Sequence, residues 1–578
     1  MSEEKSIRDV RLEKLARLRE LGCDPYLVER FERTGTAEEL LALFPADGTF
    51  PEGEAPTVRF AGRVASYRLM GKAGFAHISD GDGKIQGYFK REDLGETGWE
   101  VYNLLDVGDH IGVVGYLFTT RTGEPSIHVS EVVPLSKSLH ALPLGKEKEG
   151  RQWYGLADVE QRYRHRHLDL ICNPEARAML INRMKITSAV RRYMDSLGYL
   201  EAETPMLQVV AGGAAARPFL THYNAYEMDV KLRISLELYL KRLICGDLPK
   251  VYEIGRVFRN EGVSNRHLPE FTMLEFYEAY TDLEGMMERV EGIFRHVAQE
   301  VFGTARFERR VERMHIGPVT VPDDLTQEDA LARERARRGR DVALDLGSPW
   351  KRIDLLQAIE EGLGLERGGL AACLRIESED ERLAAFQARV CEGIERLPDA
   401  GRKDDLDFDA HRHFKERVEG GGYRIYTFSG LSYLDPGNES NLGGLIEKLL
   451  EALVEDYLIE PTFVVGYPIE TSPLAKKDPD NPRMTRRFEG YVLGREMCNA
   501  FSELNDPVDQ VERFEQQVAE SAKGDDEAHP MDEEFVYALE SGMPPTGGCG
   551  IGIDRLAMTL LGADAIREVI LFPTMKPP

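Results

Sequence analysis

The stretch Gly547-Gly548-Cys549-Gly550-Ile551-Gly552-Ile553-Asp554-Arg555 is dense in glycine and ends on a single arginine. The glycines let the backbone pass close to a neighbour, but their spacing does not match the G-x-G-x-x-G of dinucleotide-binding folds. A second stretch, Phe258-Arg259-Asn260-Glu261, continues through Arg266-His267 to Pro269-Glu270-Phe271-Thr272. Two arginines from distant parts of the chain, each beside acids and turn residues, predict a site that holds a triphosphate.

The second stretch has the side chains that carboxylate activation by ATP requires. The planar guanidinium of Arg259 is suited to grip a carboxylate and an α-phosphate together. His267 is suited to reach the outer phosphates, and the ring of Phe271 offers a flat face for a purine. We therefore expect ATP to bind here, with catalysis resting on positioning and charge neutralisation.

Two glutamates further along the chain predict a cation site. Glu489 and Glu496 lie seven residues apart. On a helix this spacing is two turns on one face, and on two antiparallel strands the carboxylates also converge. Either arrangement lets both share the Mg²⁺ that accompanies ATP.

A set of alternating polar and aromatic residues predicts a pocket for a positively charged substrate. Alternate residues on a strand point to one face, and buried acids without a partner are costly, so a ligand ammonium is a natural occupant. The set lies in three short stretches and consists of Glu237, Glu275, Tyr277, Asn499, Phe501 and Glu503.

Composition and charge narrow the class of protein. The chain has 578 residues, a hydrophobic content of 42%, seven dispersed cysteines and a formal net charge of -27. No signal peptide or membrane-length apolar run is visible, so we expect a cytoplasmic protein with free thiols. The acidic total opposes nucleic-acid binding, although residues 151–192 form a locally basic segment.

The pattern along the chain predicts several domains in an α+β protein. Residues 1–45 have helical spacing, and residues 46–140 contain short β-rich runs that predict an OB-fold barrel. Asp80-Gly81-Asp82-Gly83 between two of these runs predicts a hairpin. Residues 141–175 are predicted to be a linker, and residues 176–578 carry the motifs quoted above.

Together these motifs resemble the bacterial-type class II lysyl-tRNA synthetases. The similarity includes motifs 2 and 3 of class II synthetases, at Phe258–Thr272 and Gly547–Arg555, and a degenerate motif 1 in a long helix followed by Tyr199–Pro205. It also includes Gly212–Phe219 and Glu237–Leu243. The resemblance implies an OB-fold anticodon-binding domain, a class II catalytic domain over residues 176–578 with an antiparallel sheet flanked by helices, and a homodimer formed through motif 1. Its implied partners are L-lysine, ATP and tRNA(Lys), with Mg²⁺ as the cofactor.

The resemblance also implies roles for individual residues. Arg259 would contact the lysine carboxylate and the α-phosphate, and Asn499 would lie near the carboxylate. The other implied roles are ATP binding by Glu261, His267, Phe271 and Arg555, Mg²⁺ binding by Glu489 and Glu496, binding near the α-amino group by Gly213, Glu237 and Glu275, side-chain binding by Tyr277, Phe501 and Glu503, and anticodon binding by Phe75 and Gln86.

The chain departs from this family at three places. Leu236 stands where the family usually has proline, and Leu268 stands where asparagine is common. Residues 303–460 look longer than the insertion typical of the family. The alternatives are an aspartyl- or asparaginyl-type synthetase, an enzyme that adds lysine to a protein, and a non-catalytic RNA-binding relative. The acids Glu275 and Glu503 argue against an acidic substrate.

Overall fold

The computed structural model describes residues 6–51, 53–144, 146–148, 151–153, 155–312, 339–400, 412–419, 421–427, 431–522 and 530–577. The chain divides into two compact units, residues 1–177 and 178–578. Each unit has its own hydrophobic core. The predicted domain boundaries remain predictions.

The first unit is built on a closed barrel. The strands of this unit are β1 (Thr57–Met70), β2 (Ala73–Ser79), β3 (Lys84–Lys90), β4 (His110–Thr119), β5 (Pro125–Ser136), β6 (Lys146–Lys148) and β7 (Arg151–Trp153). The first five close in the order β1-β2-β3-β5-β4. Alternate residues of β1, such as Val58 and Phe60, are buried, as expected for a strand with one face on a core.

The predicted hairpin joins β2 to β3, which pair antiparallel. Its turn is fixed by Asp80, whose carboxylate accepts a hydrogen bond from the backbone N–H of Gly83 at 2.9 Å. Gly81 has a φ of 101°, which a residue with a side chain rarely adopts. The structure therefore confirms the hairpin that the aspartate- and glycine-rich turn predicts.

Short helices accompany the barrel. They are α1 (Ile7–Glu20), α2 (Ala37–Ala42), α3 (Arg91–Asn103), α4 (Val159–Arg164) and α5 (Arg166–Cys172). The last two lie within the predicted linker. They are joined by Asp169, which is buried and pairs with Arg162 and Arg166 at 2.7 and 2.6 Å. Part of that segment is therefore regular structure.

The second unit is organised around an eight-stranded sheet in the order β16-β20-β21-β22-β23-β13-β12-β8. Neighbouring strands are antiparallel from β20 to β12, and the two outermost pairs are parallel. Its strands are β8 (Leu200–Glu201), β12 (Lys250–Phe258), β13 (Glu270–Ala279), β16 (Lys351–Asp354), β20 (Thr462–Pro468), β21 (Met484–Val492), β22 (Arg495–Ser502) and β23 (Thr546–Gly552).

The smaller sheets of this unit lie outside the central one. Their strands are β9 (Leu207–Gln208), β10 (Leu220–Tyr223), β11 (Met228–Leu232), β14 (Arg306–Glu312), β15 (Gly339–Asp345), β17 (Phe414–Arg417), β18 (Tyr423–Tyr426) and β19 (Leu431–Leu434).

Helices bury both faces of the central sheet. They are α6 (Pro174–Ser196), α7 (Glu237–Cys245), α8 (Leu283–Phe302), α9 (Leu355–Gly362), α10 (Gly369–Cys373), α11 (Glu379–Arg396), α12 (Leu442–Leu453), α13 (Pro507–Ala522), α14 (Glu533–Glu540) and α15 (Ile553–Leu561). One core joins α6, α8 and α15 to the sheet, and another joins α7 and α14 to β12 and β13. This architecture confirms the predicted α+β fold.

The described part of residues 303–460 shares structure with the central sheet. Strand β16 pairs in parallel with β20, and α9, α11 and α12 share a core with residues of β20 and β21. Residues 313–338, 401–411, 420 and 428–430 of this stretch lie outside the described residues. That it is an unusually long insertion remains a prediction.

All seven cysteines are free thiols. In the part of the chain that the structure describes, no helix combines the length and apolar character needed to cross a membrane.

Candidate active site

A cavity of about 380 Å³ opens on one face of the central sheet. It is lined by β13, β22, β23, the starts of α7 and α15, the segment at Gly213 and the loop between β12 and β13. It gathers twelve of the predicted residues, which are Gly213, Glu237, Arg259, Glu261, His267, Phe271, Glu275, Tyr277, Glu496, Asn499, Phe501 and Arg555. Motifs far apart in sequence therefore meet in one place.

Strand register explains why these motifs meet. Strand β23 pairs antiparallel with β13 on one side and with β22 on the other. Gly548 thus lies between Tyr277 and Phe501 in one cross-strand row. Only glycine fits at position 548, because an added Cβ would come within 2.0 Å of Glu503 Oε1 and 2.5 Å of Tyr277 Cε1. The glycine-dense stretch makes room for the side chains of its neighbours.

The guanidinium of Arg259 faces the cavity and forms few contacts with the protein. Its Nε donates to the carbonyl oxygen of Ile234 at 3.4 Å, and its guanidinium lies 5.3 Å from the centre of the Phe271 ring. Among the described residues it forms no ion pair. Burial lowers the pKa of Arg259 from its usual value, and the charge of nearby Glu261 opposes this. Arginine stays protonated in proteins, so a half-buried positive charge faces the cavity.

Arg555 joins the two predicted nucleotide motifs. Its guanidinium donates to the Glu496 carboxylate at 2.9 Å and lies 3.1 Å from His267 Nε2. The other ring nitrogen of His267 lies 3.0 Å from the Ser264 hydroxyl. Burial, with the charge of Arg555 next, lowers the pKa of His267, so the ring is neutral at pH 7. Asp554 fixes the start of α15 by accepting from the backbone N–H of Thr272 at 2.8 Å.

Glu275 is a buried acid with three donors. It accepts from the Ser235 hydroxyl at 2.9 Å, the backbone N–H of Leu236 at 3.1 Å and the Tyr277 hydroxyl at 3.2 Å. Burial, with the charge of Glu237 next, raises the pKa of Glu275 to about 7. The Leu236 contact is one that proline cannot make, since proline has no backbone N–H.

Glu237 and Glu503 are joined by a lysine that the sequence analysis quoted but gave no role. Lys241 forms ion pairs with both carboxylates, one turn along α7 from Glu237. Both partners in the pair with Glu503 are fully buried. Burial opposes the charge on Lys241, but the carboxylates outweigh it and raise its pKa. Burial raises the pKa of Glu503 well above its usual range, and Lys241 opposes this.

Glu489 lies on β21 and Glu496 on β22, so the strand alternative for these two acids is the one observed. Glu489 accepts from the Tyr467 and Tyr491 hydroxyls at 2.8 and 2.6 Å and from Arg487 at 2.7 Å. Arg487 also donates to the Asn499 side-chain oxygen at 3.1 Å. This buried arginine therefore orients two predicted site residues at once.

A neighbouring cavity shares Glu489, Glu496, His267 and Arg555 with this region and is also lined by Glu447, Glu451 and Glu455. Burial and the charges of Glu496 and Glu489 raise the pKa of Glu455 to about 8. Among the described residues, no group of three or more His, Cys, Asp or Glu side chains has the arrangement of a preformed metal site. The carboxylate donors are nevertheless of the type that Mg²⁺ prefers.

The two remaining predicted residues lie on the barrel of the first unit. Phe75 is half-buried, with its ring centre 5.1 Å from that of Tyr88. The Gln86 amide donates to Glu124 at 2.7 Å and accepts from the Ser126 hydroxyl at 2.9 Å. The barrel therefore carries an aromatic surface and the Gln86 amide, which is fixed by two hydrogen bonds. Such a combination is typical of faces that bind unpaired bases.

Four contact residues had no assigned role in the sequence analysis. Ser235 is a small polar residue with no pattern around it, and Glu124 lies in a hairpin far from Gln86 in sequence. Lys241 lies within Glu237–Leu243 and Arg487 lies two residues before Glu489, and their positive charges next to predicted acids are the signal that could have found them. Only the fold shows which acids they pair with.

Two family models match this chain. The one described as class II tRNA synthetases (D, K and N) matches residues 158–576, and the one described as an OB-fold nucleic acid binding domain matches residues 58–135.

Curated proteins with the same name, lysine–tRNA ligase, align along nearly the whole chain. The one from Thermoanaerobacter sp. (strain X514) is 44% identical over 568 residues, covering 98% of this chain and 95% of its own. The one from Syntrophomonas wolfei is 44% identical over 571 residues, with 99% and 97% covered. The one from Bacillus subtilis is 42% identical over 569 residues, with 98% and 96% covered.

Proposed function

The chain belongs to the lysine–tRNA ligases of the class II tRNA synthetase family, and from this we propose that its cavity activates L-lysine with ATP and that the protein charges tRNA(Lys). Lysine carboxylate oxygen attacks the α-phosphate and pyrophosphate leaves, which gives lysyl-adenylate. A 3′-terminal hydroxyl of tRNA then takes the lysyl group and releases AMP. The observation that carries the proposal is the meeting of two buried acids, Glu237 and Glu275, with Arg259 and Arg555 in one cavity.

Arg259 is proposed to act at the reacting centre. Its guanidinium has no acidic partner among the described residues, so it is available to hold the lysine carboxylate and the α-phosphate together. This brings nucleophile and electrophile into one geometry and neutralises the charge that develops at phosphorus. Asn499, oriented by Arg487, is proposed to lie near the same carboxylate.

The nucleotide is proposed to bind at the end of the cavity formed by motifs 2 and 3. The Phe271 ring stacks on the purine, and the guanidinium of Arg555 binds outer phosphate oxygens. His267, being neutral, binds phosphate as a hydrogen-bond donor, and Glu261 binds at the exposed rim of the site.

Lysine is proposed to bind at the opposite end. Gly213, Glu237 and Glu275 form the subsite for the α-ammonium, where Gly213 has a φ of 89° and an added Cβ would press on Ser235 and Glu237. Tyr277, Phe501 and Glu503 surround the side chain and its ε-ammonium.

Glu489 and Glu496 are proposed to hold Mg²⁺ with ATP. Both contribute carboxylate oxygens to the same acidic cavity beside Arg555. A bound Mg²⁺ would supply charge neutralisation for the phosphates.

The barrel is proposed to bind the anticodon through Phe75 and Gln86. Phe75→Ala should weaken tRNA affinity by about 1–3 kcal/mol through lost stacking and leave pyrophosphate exchange unchanged. Equal losses in charging and in exchange would mean that the barrel supports the fold of the catalytic unit rather than reading RNA.

A homodimer through the motif 1 region, located in the cytoplasm, is also proposed. The segment after α6 exposes large apolar side chains, an arrangement typical of a subunit interface. They are Leu200, Met206, Leu207, Val209, Leu220 and Tyr226. Sedimentation should give twice the mass of the chain, and Leu220→Glu should shift it toward the monomer.

The deciding experiment is ATP–pyrophosphate exchange with each of the twenty amino acids. Lysine should support exchange far better than the other nineteen. Exchange driven by aspartate or asparagine would favour the related synthetases instead, and no exchange with any amino acid would favour a non-catalytic RNA-binding role.

A further inference from the structure

Lys241 is a buried ammonium that pairs with acids of the proposed lysine pocket. It lies on the second turn of α7 and is fully enclosed. It pairs with Glu237 on its own helix and with Glu503, which follows β22. Its Nζ also lies 5.3 Å from the centre of the Phe501 ring and 5.8 Å from that of Phe535. A positive charge in a pocket for a positively charged substrate requires an explanation.

The balance of charges in the pocket explains why a buried lysine lies there. Glu237, Glu275 and Glu503 are each more than nine-tenths buried. Ionisation of all three carboxylates beside one ammonium would leave two uncompensated negative charges, and burial accordingly raises the pKa of Glu275 to about 7 and that of Glu503 well above its usual range. L-lysine has two ammonium groups, while its carboxylate is assigned to Arg259. The substrate therefore brings the two positive charges that complete the neutrality of these buried acids.

Geometry shows how Lys241 leaves space for the substrate. It forms its ion pair with Oε2 of Glu503, and neither carboxylate oxygen of Glu503 accepts a hydrogen bond from the described residues. That oxygen adjoins Gly548 and Tyr277, which line the cavity. Lys241 thus holds one oxygen of the carboxylate and leaves the other on the cavity side.

From these contacts we infer that Lys241 is a positioning residue for specificity: it holds Glu237 and Glu503 as ionised, correctly directed acceptors and sets the pocket's charge to require a substrate with two ammonium groups. Lys241 acts through the two acids and does not touch the substrate. This inference rests on the proposed function.

The primary test replaces Lys241 with methionine, which keeps the length of the side chain and removes its charge. The measurement is the ratio of kcat/KM for L-lysine to that for L-norleucine, the same amino acid without the ε-ammonium, in pyrophosphate exchange. Without Lys241 we expect Glu503 to hold a proton, so the ratio should fall about 10- to 100-fold while the KM for ATP stays within about two-fold. An unchanged ratio, or a parallel rise in both KM values, would overturn the inference.

Arg242→Met is the matched control. Arg242 is the neighbouring cation on α7, paired with Asp532 at 2.8 Å and partly exposed. Removing its charge should leave the lysine-to-norleucine ratio unchanged. A fall equal to that of Lys241→Met would show a general effect of positive charge on α7 and would contradict a specific role for Lys241.

Proton release on lysine binding gives a readout that a purely structural role would not change. The titratable groups around Lys241 are Glu237 and Cys245 on its helix, Glu503 after β22, and Glu275 and Tyr277 on β13. Calorimetry in buffers of different ionisation enthalpy should show that Lys241→Met releases about one more proton per lysine bound than the wild type. Equal proton release would contradict the inference.

A double variant keeps the test open if Lys241→Met fails to fold, because breaking one partner of a buried pair is strongly destabilising. Lys241→Met with Glu503→Gln removes both partners. If Lys241 acts through Glu503, the double variant should discriminate lysine from norleucine as well as Glu503→Gln alone, within about two-fold. Multiplied losses would refute the inference. Failure of the wild type to activate lysine at all would instead refute the proposed function.

Discussion

The two ends of the active-site cavity treat charge differently. At the nucleotide end, the guanidinium of Arg555 is half-exposed and pairs with an acid that is also partly exposed. At the lysine end, Glu237, Glu503 and Lys241 are enclosed and paired with one another. A phosphate chain brings its own charges to cations beside water, whereas an amino acid is selected where water is excluded and every charge needs a partner. We therefore propose that the nucleotide end supplies the reaction chemistry and the lysine end supplies selectivity.

The largest effect should come from Arg259, where the two ends meet. Arg259→Ala should lower the rate of adenylate formation by about 10²–10³, because it removes a donor to charge that develops in the transition state. Single-turnover formation of lysyl-adenylate measures this rate. Arg256→Ala, which removes a neighbouring cation paired with Glu270 at the surface, should retain activity. A folded Arg259→Ala protein with wild-type adenylate formation would contradict the role.

Glu503→Gln should affect only the lysine end. Loss of a charge-assisted contact to an ammonium should weaken lysine activation by about 1.5–3 kcal/mol. Titration of each substrate in pyrophosphate exchange should show a higher KM for lysine and an unchanged KM for ATP. Unchanged kinetics for lysine would rule out Glu503 as its acceptor.

Gly548→Ala should weaken the same end through packing alone. The new Cβ would come within 2.0 Å of Glu503 Oε1 and 2.5 Å of Tyr277 Cε1, so both side chains must move. We expect a loss of about 1–3 kcal/mol, typical of overpacking, seen mainly in the KM for lysine. If the KM for ATP rises as much as that for lysine, the two ends are not separable.

Glu275 should give the lysine end a pH dependence. Its pKa is raised to about 7, so its carboxylate ionises as pH rises through that value. Because the ionised form is proposed to bind the α-ammonium, kcat/KM for lysine should rise up to about ten-fold per pH unit below 7 and level off above it. A profile in Glu275→Gln that keeps this inflection would assign it to another group.

Protonation of Glu275, which is expected to weaken lysine binding, should stabilise the folded protein. Its pKa in the folded state is above the usual carboxylic value of 4.5, so the fold favours the protonated form. This contribution is present below pH 4.5 and is lost as pH rises to about 7. Thermal unfolding of the wild type and of Glu275→Gln across this range should show a smaller pH dependence in the variant.

Local sequence patterns predicted much of the fold correctly. The barrel followed from short β-rich runs and a turn rich in aspartate and glycine, and the α+β architecture and the family are confirmed. Alternation along β22 places Asn499 and Phe501 on the cavity, because successive side chains of a strand point to opposite faces. Patterns of this kind depend only on neighbours in sequence, which is why they are visible without the structure.

Other features depend on strand register. Spacing alone was compatible with Glu489 and Glu496 on one helix or on two strands. The structure places them on two hydrogen-bonded antiparallel strands, β21 and β22. The segment predicted as a linker contains α4 and α5, which are stabilised by the pairs of Asp169 with two arginines. The roles assigned to individual site residues remain predictions.

The sequence by itself determined the candidate residues of this site, since its arginines, acids and glycines lie in short motifs whose chemistry is local. The tertiary structure alone decided how their charges are balanced. Lys241 joins Glu503 from far along the chain, and Gly548 makes room for that acid from another strand. Burial turns those contacts into an electrostatic requirement, and burial is a property of the packed chain, which no local pattern contains.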